Sequence, residues 1–466
     1  MTVQAYDVIV IGGGPAGQQA AITAARTGKK VLVVEQEVDV GGACVSNGTI
    51  PSKTLRETVA AMRQFGSKTA NQFPMDLSSE LQIQSLMTRK ERVIVAHQKN
   101  MGRQLQLAGA ERIHGRASFV DAHTIKVEQL GGLSTPYHGA TIVIASGSRP
   151  RDPQEMDVDH EHIFDSESIL SLVYLPKSLA VLGSGVIAME YATIFANLGV
   201  AVTVIDRSPL PLAFMDEDCS RALLTDFEAR GGRYCGGAKA DSVVWNGVDA
   251  VEIAMPSGEQ IVVEKCLFAL GRVANLRGLG LKTIDLALTD RGNIALSEGF
   301  RSSIAHIYAV GDVIGPPSLG SSSIDQGRRA ICQALDLPVG RSADLIPYGI
   351  YTIPEMACVG ISEQQAIASH GEGGYRIGHA PYTEIARGQI SGSLEGFIKM
   401  VADGAGEKIL GVHVVGENAA EIVHLGLMAM SSDWTVSDFI DRTFNFPTLA
   451  EGYRLAALEV IYGQRV

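Results

Sequence analysis

Two short glycine-rich runs carry the most legible chemistry in this 466-residue chain. Gly12-Gly-Gly14-Pro15-Ala-Gly17 and Gly183-Ser-Gly185-Val186-Ile187-Ala188 each stand where an apolar, strand-like run gives way to a helical one. Backbone amides left uncovered at a helix N-terminus bind a pyrophosphate, because the unpaired N–H groups and the helix dipole both favour an anion. Each run is followed, one helix and one strand later, by an acidic residue: Glu35 in the first case, Asp206 in the second. A carboxylate at that position accepts a hydrogen bond from a ribose hydroxyl. The pattern predicts two dinucleotide sites.

The elements that must hold these turns can be read on either side of them. Residues 6–11 form an apolar run short enough to be a strand buried on both faces, followed by an Ala-rich helix to about residue 27 and a second strand over 30–34. The same unit recurs later, with a strand over 179–182, a helix through Glu190 and a strand over 200–205. This duplication is the internal repeat of the chain. Ala188 takes the third glycine position of the second turn. Asp206 favours NAD, since an acidic residue accepts from a free 2′-OH and repels a 2′-phosphate; Arg207 beside it can pair with that phosphate and leaves NADP open.

Composition narrows the class. Apolar residues make up 46% of the chain and charged ones 19%, enough to bury large cores, and 51 glycines imply many tight turns. A net charge of −12 with no Lys/Arg run argues against nucleic acid and against an anionic membrane surface. The longest apolar stretches are strand-sized, far below the ~20 residues of a membrane span. Asp7 and Gly12 interrupt any early apolar region, so no signal peptide is expected and the protein reads as cytoplasmic. The six cysteines show neither a C-x-x-C pair nor metal-ligand spacing, and read as isolated, mostly buried thiols.

Residues 141–150 run from a strand into Ser146-Gly147-Ser148-Arg-Pro, and residues 307–313 form a strand that meets Gly311-Asp312. Both resemble signatures of the two-dinucleotide flavoproteins, which implies FAD at the first turn and a nicotinamide nucleotide at the second. In those proteins the aspartate matching Asp312 holds the ribityl chain or the adjoining phosphate. At Gly41-Gly42-Ala-Cys44-Val-Ser-Asn-Gly-Thr49-Ile-Pro-Ser-Lys53 the chain resembles the pyridine nucleotide–disulfide oxidoreductases, a family that includes dihydrolipoamide dehydrogenase and glutathione reductase. The resemblance runs over essentially the whole length, through Gly115-Arg-Ala117-Ser-Phe119, Gly271-Arg272 and Tyr351-Thr-Ile-Pro-Glu355. It implies an α/β fold with two Rossmann-like dinucleotide-binding domains and an α+β C-terminal dimerisation domain. The expected division is residues 1–150 for FAD, 151–270 for NAD(P), 271–345 for a return to the FAD-binding region, and 346–466 for the dimer interface. A homodimer or larger homo-oligomer follows.

Two departures from the family pattern bear on function. Disulfide members carry Cys-x4-Cys, and Thr49 fills the second position here; a hydroxyl cannot form a disulfide. Near the C-terminus, Phe444-Asn-Phe446-Pro447-Thr448 puts phenylalanine where those members have an acid–base histidine, although Glu451 is present. Both losses fall on the same half-reaction, the one that discharges the flavin into a dithiol. The other half matches the family: Lys53 corresponds to the lysine near flavin N5 and Glu190 to the glutamate that pairs with it. The resemblance is therefore to the branch that exchanges hydride between nicotinamide nucleotides, NADPH to FAD to NAD⁺, reversibly, with Si-face specificity. Lys53, Glu190 and Thr49 are its expected catalytic positions. An NAD(P)H diaphorase or quinone reductase, a dihydrolipoamide dehydrogenase-like enzyme and a non-enzymatic flavin redox sensor are the competing readings. No histidine replaces Phe446; His413 and His424 read as satisfied structural residues.

Overall fold

A computed structural model describes residues 3–69, 83–153, 156–340 and 345–463, with side chains omitted at 66–69. Helices are expected across residues 54–110; residues 70–82 of that stretch lie outside the described residues, and helices Thr49–Thr69 and Ile83–Ala108 occupy the rest of it up to residue 108. The chain divides into two compact units. The first comprises Met1–Thr54, Met87–Asp152 and Gly271–Ser342; the second comprises Leu55–Leu86, Pro153–Leu270 and Ala343–Val466.

The first unit is built on a sheet ordered Glu111–His114, Val31–Glu35, Gln4–Ile11, Ser134–Ile144, Thr124–Glu128, Arg116–Phe119. Gln4–Ile11 pairs in parallel with both Val31–Glu35 and Ser134–Ile144. Its apolar run has no polar alternation because both faces are covered: Val8 and Val10 pack in one core, Ile9 and Ile11 in another. Ile307–Ala309, arriving from far along the chain, adds to Ser134–Ile144 in parallel. Helix Pro15–Arg26 begins with Pro15 in its first turn, where the missing N–H costs nothing. It buries a face of small residues, Ala20, Ala21 and Ala24. Helix Gly320–Ala334 crosses it so closely that a Cβ on Gly327 would lie 2.1 Å from the Ala16 carbonyl oxygen.

The second unit holds a wholly parallel five-stranded sheet, ordered Arg233–Gly236, Ala201–Asp206, Ser178–Leu182, Lys265–Phe268, Ile163–Asp165. An antiparallel meander of Ser242–Trp245, Val251–Ala254 and Gln260–Val263 accompanies it. The C-terminal region forms an antiparallel sheet ordered Tyr348–Ile350, Met356–Gly360, Ile409–Val415, Phe397–Asp403, Tyr375–Pro381. Helices Ala419–Ser431 and Glu451–Tyr462 pack on it around Tyr382, Phe439 and Tyr453, all fully buried. Each such side chain contributes about 1.5–3 kcal/mol by leaving water. Among the described residues no helix is long and apolar enough to cross a membrane.

One charge is sealed inside this second unit. Lys399, with no exposed side-chain surface, donates to Asp216 (2.8 Å), Asp218 (2.5 Å) and Glu363 (2.6 Å). His413, expected to be satisfied, is buried with Nε2 against the Ile361 carbonyl (3.0 Å), but its Nδ1 has no hydrogen-bond partner. His424 is exposed rather than structural; it lies on helix Ala419–Ser431 at a position that faces away from the core.

Candidate dinucleotide sites

The two glycine turns share one backbone geometry. Gly12 and Gly183 have φ of +105° and +106°, and Gly14 and Gly185, which precede the helices, have φ/ψ of −72°/−176° and −73°/−176°. Gly12 N donates to the Val34 carbonyl (2.8 Å) and Gly183 N to that of Ile205 (2.9 Å). A Cβ on Gly12 would lie 2.3 Å from the Ala145 carbonyl oxygen, and one on Gly183 would lie 2.6 Å from that of Ala269. Side chains are thus excluded twice over, by φ and by space. Neither helix has a side-chain N-cap, so its first amides keep their donors for an anion. At Gly185 a Cβ would meet nothing within 4 Å. Val186 and Ile187 occupy the first turn behind it.

In the first unit, Gly17 lies so close to Gly12 that a Cβ would approach its carbonyl oxygen to 1.9 Å. Glu35 ends its strand with Oε2 on Gly13 N (2.6 Å) and Oε1 on Glu37 N (3.0 Å). Burial pushes its carboxyl above the ordinary range, against the pull of the Glu37, Gly13 and Gln36 amides. Gly115 N donates to the Glu35 carbonyl (2.8 Å), and Ala117 is buried on the strand that follows. Gly41 and Gly42, both at positive φ, pack their backbone on Gly14.

A second cluster is assembled from three distant segments of the same unit. Ser148 donates to Asp312 Oδ2 (2.6 Å), while Arg272 donates to the Ser148 hydroxyl and carbonyl (2.8 Å each). Gly147, at φ +71°, has open space where a Cβ would be, and the neighbouring Ser146 hydroxyl is buried without a partner. Gly311 N is held by Gln326 Oε1 (2.8 Å), and Gly271, at φ +98°, accepts from Arg151 N (3.0 Å). An orphaned hydroxyl, an open glycine and uncapped helix amides in one unit fit a bound dinucleotide such as FAD. Gln326 lies outside the set read from the sequence; its serine-rich surroundings gave no signal of its bond to Gly311.

Cys44 sits on the short helix Gly42–Ser46, and Thr49 and Lys53 lie one turn apart on helix Thr49–Thr69. The Thr49 hydroxyl hydrogen-bonds the Cys44 sulfur. Burial pushes the thiol above its ordinary range, while Thr49 and the Lys53 ammonium work against that shift. All six cysteines are unbridged, and Cys219, Cys266, Cys332 and Cys358 are buried. Lys53 belongs to the first unit; Glu190 belongs to the second, buried on helix Val186–Asn197 and accepting from Tyr351 N (3.0 Å). Asp206 closes the strand Ala201–Asp206, and Oδ1 takes the Ser208 amide (2.7 Å); Arg207 is exposed. Phe446 is 68% exposed.

Residues 6–334 match the profile of the pyridine nucleotide-disulphide oxidoreductases, and residues 346–457 match the dimerisation domain of the same family. The chain belongs to this family. It is an α/β flavoprotein oxidoreductase that uses FAD and pyridine nucleotides, with a dimerisation domain that fits a homo-oligomer. A soluble pyridine nucleotide transhydrogenase of Mycobacterium bovis is 38% identical over 461 residues, covering 99% of this chain and 98% of that protein. One from Pectobacterium atrosepticum is 40% identical, covering 97% of each. Among solved structures, LpdA of Mycobacterium tuberculosis matches with a TM-score of 0.89 at 27% identity, over 98% of this chain and 100% of that one. The HOCl-induced flavoprotein disulfide reductase RclA of Escherichia coli matches with a TM-score of 0.87 at 25% identity, over 97% and 99%.

Proposed function

We propose that the protein is a cytoplasmic transhydrogenase that moves hydride between NADPH and NAD⁺ without a redox disulfide. The observation that carries this reading is the Cys44–Thr49 pair: a hydroxyl stands against the thiol where a dithiol would need a second sulfur. The names of the relatives support it. When bound, FAD supplies a ring that takes hydride from one nicotinamide and returns it to another, the first nucleotide leaving before the second enters.

The chain's own contribution is holding and orienting. In this reading residues 1–150 and 271–345 hold FAD, residues 151–270 hold the nicotinamide nucleotide, and residues 346–466 pair two copies. The amides that open the helix after Gly14 take the FAD pyrophosphate, with Glu35, which holds Gly13 N, toward the ribose and the Ser148–Asp312–Arg272 cluster toward the ribityl end. The amides after Gly185 take the second pyrophosphate. Asp206 and Arg207 read the 2′ position. Lys53 and Glu190 keep the charged roles that the family pattern assigns to them, and no proton shuttle is required, because each half-reaction reverses the other. Phe446 is consistent with that economy.

Stopped-flow reduction of the bound flavin by NADPH and by NADH, each alone, tests the reading. Both nucleotides are expected to bleach it. Reduction by NADH only would rule out NADPH-to-NAD⁺ exchange, and fast quinone turnover with poor exchange would point to a diaphorase.

A further inference from the structure

Beside the second glycine turn, a tyrosine outside the family motifs holds the corner that follows Asp206. Tyr234 lies on the edge strand Arg233–Gly236, whose residues pair with Ala201–Asp206 so that Tyr234 stands opposite Val204 and Gly236 opposite Asp206. Its hydroxyl donates to the Ser208 carbonyl (2.9 Å) and so pins that corner. The side chain of Ser184, the buried middle residue of the Gly183-Ser184-Gly185 turn, lies close enough to work against the rise in ionisation that burial causes.

That corner is held by a closed set of bonds. The Ser208 carbonyl also accepts from Gly237 N (3.2 Å), and the Asp206 carbonyl accepts from Ala238 N (3.0 Å). The Asp206 carboxylate folds back onto Ser208 N. The ring fills the remaining space: a Cβ on Gly236 would lie 2.7 Å from Tyr234 and about as close to the Pro209 and Ser208 carbonyls, at 2.9 and 3.0 Å. Arg207, between the two anchored residues, is exposed, and among the described residues no ion pair forms to it. The corner thus fixes the aspartate and leaves the arginine reaching into solvent.

We infer that Tyr234 is a positioning residue for nucleotide choice, fixing the Asp206 carboxylate for the 2′-hydroxyl of NAD(H) by holding Ser208, whose amide that carboxylate accepts from. This rests on the proposed reading that both nicotinamide nucleotides use the site. Recognition of NAD(H) depends on a carboxylate at one fixed place, because a hydrogen bond weakens steeply with distance and angle. Arg207 takes no part in the corner's bonds among the described residues, so the reach of its guanidinium toward a 2′-phosphate is set by its own long side chain rather than by Tyr234. Loosening the corner therefore penalises the two nucleotides unequally.

The test is steady-state and stopped-flow kinetics of the holoenzyme with Tyr234→Phe, using NADH and NADPH as separate reductants. The variant is expected to raise KM for NADH roughly three- to tenfold, the effect of one lost hydrogen bond, with KM for NADPH and kcat for both within about twofold of the parent. The thermal midpoint checks that the fold is kept. A parallel rise in both KM values, or no change in either, overturns the inference. If NADPH fails to reduce the parent enzyme, the transhydrogenase reading fails instead, and the NADH effect of Tyr234→Phe still decides the role of the tyrosine.

Discussion

The Thr49 side chain lies against the sulfur of Cys44, close enough to favour its ionised form. A dithiol enzyme needs two sulfurs at this distance along the chain; here the second group can hold the first but cannot exchange with it. The thiol is half-buried, and burial pushes its ionisation up. Cys44 is accordingly kept as a thiol rather than a nucleophile.

Alkylation reports that state. Iodoacetamide labelling of Cys44 in the holoenzyme, followed by mass spectrometry, is expected to be slow at pH 7.5 and to accelerate only above about 8.5, the ordinary thiol value. The sign follows from the raised ionisation, which lowers the thiolate fraction at neutral pH. Rapid labelling at pH 7 would contradict the burial argument.

Restoring the sulfur alone should not restore dithiol chemistry. Thr49→Cys supplies a partner for Cys44 but leaves Phe446 where an acid–base group is required. Turnover with dihydrolipoamide is expected to stay at background, while NADPH-to-NAD⁺ exchange persists at a reduced rate. Appreciable dihydrolipoamide oxidation by this single variant would return the protein to the dihydrolipoamide dehydrogenase class.

The two turns can be separated by matched substitutions. Gly12→Ala puts a methyl group 2.3 Å from the Ala145 carbonyl oxygen and should yield colourless protein lacking flavin absorbance. Gly183→Ala makes the equivalent clash with Ala269 and should yield yellow protein that dithionite bleaches but neither nicotinamide reduces. A Gly183→Ala protein that NADH still reduces at the parent rate would remove the nicotinamide from that turn.

Lys399 carries the clearest stability prediction. Burial works to lower its ionisation, but Asp216, Asp218 and Glu363 together hold it above the ordinary lysine value. Asp216 is the reverse case: burial works to raise it, and His413, Lys399 and the Glu363 amide hold it below the ordinary carboxylate range. Stability from Lys399 is therefore complete below about pH 10.4 and lost as pH climbs through its raised folded value. Stability from Asp216 is present above about pH 3.9 and lost as pH falls through its depressed one. Lys399→Met leaves the fully buried Asp216 without its cation and should cost about 3–5 kcal/mol in urea unfolding. A cost near zero would mean that the Asp218 and Glu363 amides alone hold Asp216.

Both glycine turns are legible in the sequence because their geometry is local: a strand, the turn, a helix and an acid, with Glu35 only one strand away from Gly13. The strands over 6–11 and 179–182 are visible for the same reason, since burial on both faces removes polar alternation. Lys399 is not legible. In Phe397–Asp403 it reads as a polar interruption, and its three carboxylates come from the starts of two other elements, Asp216 and Asp218 at helix Glu217–Ala229 and Glu363 at helix Glu363–His370. Tyr234 is equally silent, as a short edge strand with mixed polarity carries no sign of what its hydroxyl reaches. Thr49 and Lys53 stand out as a family motif, yet their four-residue spacing also marks one turn of the helix that begins at Thr49, earlier than the expected helical stretch at residue 54.

The strand Ile307–Ala309 and the Ser148–Asp312 bond have a consequence for the order of synthesis. The first turn, Glu35 and Ser148 leave the ribosome early, but Asp312 and Gln326 follow only after the whole segment 153–270, which is large enough to fold by itself. A nascent chain shorter than about 330 residues lacks one or both of the Ser148–Asp312 and Gly311–Gln326 bonds, which in the proposed reading complete the flavin site. In that reading cofactor loading is a late event, and premature truncation anywhere before it leaves a half-made cradle rather than a smaller flavoprotein.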